Sequence, residues 1–142
     1  MFLSQHLYTL ELLERAGMTD CKPCSTPIDT NAKLFAEGAP VADATDYRAL
    51  AGALQYLTFT RPDISYVVQQ ICLYMHDPIE SHLALIKHVL HYIKGTMDYG
   101  LRILRSSTHN LVAYSDADWA GCPDTQCSTS GYAVFLGDSL VF

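Results

Sequence analysis

Residues 47–78 read YRALAGALQYLTFTRPDISYVVQQICLYMHDP, and the way this stretch divides settles the architecture. Tyr47, Leu50, Leu54 and Leu57 recur at i, i+3, i+7 and i+10, one face of a helix over 46–59. TRPD at 60–63 then breaks the chain and restarts it, because Pro62 suits a first helical turn and Asp63 favours the positive end of a helix dipole. Ile64, Val67, Val68, Ile71 and Met75 give the restarted helix its apolar side, and Pro78 closes it.

Outward from this stretch the helical period continues in both directions. Downstream, Ser81 is a capping residue and Leu83, Ile86, Leu90 and Ile93 repeat the stripe before Gly95 ends it. Upstream, Leu7–Ala16 is a further helical segment with leucines at 7, 10 and 13, stopped by Gly17. Between them residues 19–45 hold three of the six prolines and read as one long irregular connection.

After Gly95 the period changes to alternation. Tyr99, Leu101 and Ile103 make an approximate strand, Leu111–Ser115 a second and Gly131–Leu136 a third. Gly137-Asp138 is a tight-turn signal, and SLVF opens a fourth strand. The expected class is α+β: a three-helix part followed by antiparallel strands, with the division placed at residues 1–105 and 106–142.

Bulk properties narrow the function. The chain has 142 residues, 49% of them hydrophobic and 17% charged, which is globular composition for a single domain's length. Its formal net charge of −6 repels a phosphate backbone as a whole, leaving only a local basic face for nucleic acid. No apolar run is long enough to span a membrane, and Glu11 and Glu14 interrupt the opening segment, so it is no signal peptide. Five cysteines without such a signal place the chain in a reducing, intracellular setting, cytoplasmic or nuclear.

The order of the motifs carries a resemblance. FLSQHLYTLELLERAGM at 2–18, the stretch at 47–78, HYIKGTMDYGL at 91–101 and YSDADWAG at 114–121 together resemble the Pol polyprotein of plant copia-type LTR retrotransposons over essentially the whole chain. The resemblance implies the end of a reverse transcriptase (thumb and connection) followed by the start of an incomplete RNase H-like fold. It also implies missing parts: the polymerase Tyr-x-Asp-Asp motif would precede Met1, and no Asp-Asp pair occurs in the chain. By the same resemblance Tyr114-Ser115-Asp116 matches the first RNase H strand, so Asp116 inherits the role of a metal ligand in a Mg²⁺-dependent site whose other carboxylates would lie beyond Phe142. Asp118 shares its strand face by alternation and is at most a weak second ligand. The family commonly carries basic residues where Gln126 and Cys127 stand ahead of STSGY, a loss of positive charge in that loop.

Other constellations are weaker. Ser81–Asn110 carries Lys87, Lys94, Arg102 and Arg105 against Asp98 alone, and Lys87, His91 and Lys94 fall at i, i+4 and i+7 on one helical face. In the intact polyprotein this face is expected to contact an RNA–DNA duplex through its backbone and shape; by itself it reads equally as a solvated helix back. Cys21-x-x-Cys24 could be paired with Cys122 and Cys127 as zinc ligands, but four residues separate the second pair and the first falls in the irregular connection. These thiols are read as incidental. No hydrolase triad signature and no glycine-rich phosphate loop is present.

The expected function is therefore that of a Pol fragment, handling template duplex alongside the remaining Pol segments and without catalysis of its own. The alternatives are a helical protein-interaction module retained by a host, and a nuclease active only when a partner completes the RNase H site.

Overall fold

A computed structural model describes residues 1–28, 38–105, 110–118 and 128–141. The described chain forms two compact units, Ser4–Gly100 and, joining both ends of the sequence, Met1–Leu3 with Leu101–Phe142. It is an α+β protein: helices fill the first unit and small antiparallel sheets the second.

The helical unit contains α1 (His6–Arg15), α2 (Ala44–Leu57), a 3₁₀ turn (Pro62–Ile64), α3 (Ser65–Leu73) and α4 (Glu80–Gly95). The three stripes read from the sequence are its core. Tyr47, Leu50, Leu54 and Leu57 of α2 are buried with Ile64, Val67, Val68 and Ile71, and with Ile86, Leu90 and Ile93 of α4. The Tyr47 hydroxyl donates to the Ile71 carbonyl at 2.8 Å, so its one polar group is satisfied inside the core.

Helix boundaries follow local chemistry. Helix α2 starts two residues earlier than the periodicity indicates, because Asp43 caps it: one carboxylate oxygen accepts from Thr45 N at 2.8 Å and Asp46 N at 3.1 Å. Helix α3 stops at Leu73, well before Pro78. Helix α4 begins at Glu80, so Ser81 is not its cap. There the backbone N–H of Ile79 donates to Nδ1 of the buried His82 at 3.2 Å, and His82 N donates back to the Ile79 carbonyl at 3.0 Å.

Helix α1 forms where expected but keeps only Leu13 of its expected stripe inward. Leu12 and Leu13 are buried with Thr9, whereas Leu7 and Leu10 are exposed. It ends in a left-handed Gly17 (φ 64°), with Gly17 N bonded to Glu14 O at 2.9 Å and Met18 N to Leu13 O at 2.8 Å. That double closure needs a positive φ and hence glycine, and it returns Met18 to the core surface.

The described parts of the 19–45 connection hold no helix or strand before α2 but are stitched to neighbours. Val41 N donates to Pro78 O and Glu80 N to Ala39 O, both at 3.0 Å, so residues 39–41 bridge the entrance of α4.

In the second unit β1 (Phe2–Leu3) pairs antiparallel with β2 (Leu101–Arg102). β3 (Leu111–Asp118) pairs with β4 (Thr129–Leu136) from Leu111↔Leu136 to Asp118↔Thr129, and β4 turns at Gly137-Asp138 into β5 (Ser139–Leu140). Both long strands exceed their sequence-based limits. The buried Ser139 hydroxyl accepts from Leu104 N at 2.8 Å, which holds the end of β2 against β5.

Candidate functional site

The strand carboxylates come first. Asp116 lies on β3 opposite Gly131 and is exposed, its Oδ1 accepting only a local bond from Ala117 N at 3.0 Å. Alternation places Asp118 on the same face of β3 as Asp116; its side chain lies outside the described residues, as do Gln126, Cys122 and Cys127. Among the described residues no three His, Cys, Asp or Glu side chains already surround one point where a metal ion could sit. Among the described residues Asp116 is a solvated carboxylate, one donor toward the several oxygens that Mg²⁺ takes.

The basic face of α4 is only partly open. Lys87 is exposed, while His91 and Lys94 are half-buried. The reason is the segment at 21–26, which runs along this side of α4. His91 Nδ1 donates to the Lys22 carbonyl at 2.6 Å, Cys24 N donates to the His91 carbonyl at 3.2 Å, and His88 Nε2 donates to the Thr26 carbonyl at 2.9 Å. A side chain at Gly95 would meet Pro23 Cβ at 2.9 Å, so the approach is close along two turns of the helix. Burial raises the Cys21 thiol above its ordinary range, against the lowering influence of the Lys94 ammonium nearby.

Sequence reasoning missed the most elaborate polar cluster. Arg61 is only 2% exposed. Its Nε and Nη2 donate to Asp63 Oδ1 and Oδ2 at 3.0 and 2.8 Å, a fork-to-fork pair. Nη1 reaches the Thr96 carbonyl at 3.0 Å and Nη2 the Thr96 hydroxyl at 2.7 Å, closing the C-terminus of α4. Tyr92 donates its hydroxyl to Asp63 Oδ2 at 2.9 Å, and the guanidinium carbon lies 5.6 and 5.4 Å from the Tyr92 and Tyr99 ring centres. Burial works to raise the Asp63 carboxyl, but the hydrogen bonds and charge of Arg61 outweigh it and hold the group below the usual range. The signal was TRPD itself: an arginine before the breaking proline, read only as a boundary. With its donors consumed internally, this cluster is a structural clamp.

On the α1–α2 side an aromatic group stands open. Tyr8 and Tyr56 meet edge-to-face at 5.1 Å, Tyr56 and Phe59 at 5.9 Å, and Tyr56 and Phe59 are exposed. Beside them a shallow depression of about 370 Å³ is lined by Gly52, Gln55, Tyr56, Thr58 and Phe59.

Comparison with known proteins now decides the family. The chain is 49% identical over 138 residues to the retrovirus-related Pol polyprotein from transposon RE2 of Arabidopsis thaliana, an alignment covering 96% of this chain and 10% of that protein. Its homologues are copia-type Pol polyproteins of plant transposons. The uncharacterized mitochondrial protein AtMg00810 of the same plant is 47% identical over 141 residues, 99% of this chain and 59% of that protein. The Pol polyprotein from transposon TNT 1-94 of Nicotiana tabacum is 33% identical over 149 residues, 99% of this chain and 11% of that protein. The chain thus spans about a tenth of the Pol relatives' length. No family model and no solved structure matches it. No described helix is long and apolar enough to cross a membrane.

Proposed function

We propose that this chain is the thumb and connection part of a copia-type reverse transcriptase joined to the first strands of its RNase H, and that it holds template duplex without catalysing by itself. The observation that carries this reading is the colinear match to the Pol polyproteins over 96% or more of the chain, together with a helical unit followed by a sheet unit in the expected order. On α4, Lys87 and Lys94 supply the backbone contact. The His91 ring, held by the Lys22 carbonyl, positions the neighbouring segment and contributes less. Asp116 keeps the place of a metal-binding carboxylate, Mg²⁺ being the ion of the parent enzyme. No reaction step is assigned to it, because one solvated carboxylate with a local bond cannot hold that ion against water.

Binding of a labelled RNA–DNA hybrid, followed by fluorescence anisotropy against salt, tests the reading. Two or three phosphate contacts give a slope of log K against log salt of roughly −2 to −3, with affinities no tighter than about micromolar at physiological salt. Lys87→Ala with Lys94→Ala should flatten that slope. Hybrid binding that is independent of salt, or unchanged in the double variant, refutes it. Cleavage of the hybrid by the chain alone would refute the absence of catalysis.

A second reading, a helical module that binds a protein partner, is favoured by the exposed Tyr56 and Phe59, backed by the partly buried Tyr8, beside their depression. It would be preferred if Phe59→Ala abolished a specific protein complex while hybrid binding stayed at background.

A further inference from the structure

The start of α4 is closed by a ring nitrogen that has to be bare. The backbone N–H of Ile79 donates to His82 Nδ1 at 3.2 Å, so Nδ1 carries a lone pair and the ring proton sits on Nε2. His82 is 2% exposed and lies nearly flat against Tyr74, the rings 3.8 Å apart at 21°. It stands at the third position of α4, where a glutamate or glutamine ordinarily reaches back to the residue before the helix. An imidazole in that place differs in one respect: it gains a proton near neutral pH. A protonated Nδ1 would set one N–H against another and bury a cation. The same residues fasten the connection before α2. Val41 N donates to Pro78 O and Glu80 N to Ala39 O, both at 3.0 Å, Pro40 bridges to Ile79, and a Cβ at Gly38 would meet the Ile79 side chain at 3.0 Å.

We propose that His82 is an acid-sensitive latch: neutral, it fastens residues 38–41 and the first turn of α4; protonated, it lets them open while the 21–26 segment stays docked. Among the described residues, the titratable and charged groups around the ring come from four elements. The end of α3 brings Tyr74, whose ring face attracts a cation but gives Ile79 N no acceptor in return. Helix α2 brings Arg48, which donates to the Met75 and His76 carbonyls at 2.9 and 3.3 Å, and Asp43, whose carboxylate caps that helix. The turn before α4 brings His76 and Asp77, and α4 itself Glu80, all three exposed. The imidazoles farther along α4 are wired the opposite way. His88 Nε2 and His91 Nδ1 donate to the Thr26 and Lys22 carbonyls at 2.9 and 2.6 Å, bonds that a second ring proton leaves in place. The closed entrance takes only the neutral His82 ring, whereas the open one takes either form. Fastening is therefore complete above the ordinary imidazole value of about 6.5 and is lost as pH falls below it. Between pH 7 and pH 5 the open fraction should rise roughly 25-fold.

The test is amide exchange of the full natural chain, read residue by residue by NMR between pH 7 and pH 5 and corrected for the intrinsic pH dependence of exchange. Protection at Val41, Ile79 and Glu80 should fall by roughly 25-fold over that interval, while Cys24, bonded to the His91 carbonyl, keeps its protection. His82→Gln puts the usual reaching-back residue at the same position, an acceptor that does not titrate, and should abolish the response. His76→Gln should leave the response intact. Equal loss at Cys24 and Val41, or a response that survives His82→Gln, would overturn the latch. Nitrogen-15 shifts of the His82 ring in the natural chain need no variant. A bare Nδ1 at pH 7 that gains its proton as Val41 loses protection supports the latch. An Nδ1 already protonated at pH 7, or one that titrates while Val41 stays protected, refutes it.

Discussion

Replacing Asp63 by Asn is the sharpest test of how the helical unit is held together. The substitution keeps the side-chain shape but removes the charge that compensates Arg61, which is 2% exposed. It also sets an amide donor either at the Oδ2 position, against Arg61 Nη2 and the Tyr92 hydroxyl together, or at the Oδ1 position, against Arg61 Nε. Breaking a fully buried pair from one side costs about 3–5 kcal/mol. The Asp63 side chain is a third exposed, so water screens part of the interaction and the expected loss is about 2–3 kcal/mol. For a unit of this size that corresponds to a fall in Tm of about 10–20 °C. Urea unfolding at pH 7, followed by far-ultraviolet circular dichroism, should show a lower midpoint with an unchanged slope.

The pH dependence gives an independent signature. The folded carboxyl titrates below its unfolded value, so its contribution is fully present above about pH 4 and is lost as pH falls through the folded value. The natural chain should therefore lose stability in acid more steeply than Asp63→Asn, and the two curves should converge. A loss under about 0.5 kcal/mol, the usual range for a surface change, or parallel acid limbs, would show that Arg61 is solvated and that the cluster holds nothing.

Three further substitutions probe other parts of the structure. Tyr47→Phe should cost about 1 kcal/mol by removing a buried hydrogen bond to the Ile71 carbonyl, which keeps the 3.3 Å bond from Tyr74 N. Because burial raises the Tyr47 hydroxyl well above its ordinary value, the natural chain should also lose stability as pH rises beyond about 10, and the Phe variant should lose less; identical alkaline limbs would refute this. Gly95→Ala gains helix propensity of about 1 kcal/mol but forces Pro23 and Cys24 to move, a cost of about 1–3 kcal/mol, so thermal melts should show a net loss and amide exchange should quicken across residues 21–26. Asp116→Asn, at an exposed strand position with a local bond, should change stability by less than about 0.5 kcal/mol; a larger drop in the melt would show that the carboxylate has partners beyond its own strand.

The helical stripes at 47–57, 64–71 and 86–93 were legible in the sequence because burial of one helix face repeats every three or four residues and needs no knowledge of the partner. The turn at Gly137-Asp138 and the stop at Gly17 were legible for the same local reason: only a few residue types tolerate those backbone geometries. The family was legible from the order of whole motifs. Everything that depended on which segments meet was not. Asp43 rather than periodicity set the start of α2, and His82 rather than Ser81 set the start of α4, since a cap is chosen by where the orphaned backbone groups point. Of the α1 stripe Leu7, Leu10 and Leu13, Leu13 alone is buried and Leu12 joins it, because in a ten-residue helix several leucine faces compete and packing chooses among them. Arg61 looked like punctuation until tertiary contact gave it Asp63, Thr96 and two tyrosine rings. The meeting of Cys24 with His88 and of Lys22 with His91 arises the same way. A motif's spacing fixes which donors share a turn, but a chain reversal between residues 24 and 88 decides which donors they face, and that reversal is produced by burial of the whole core.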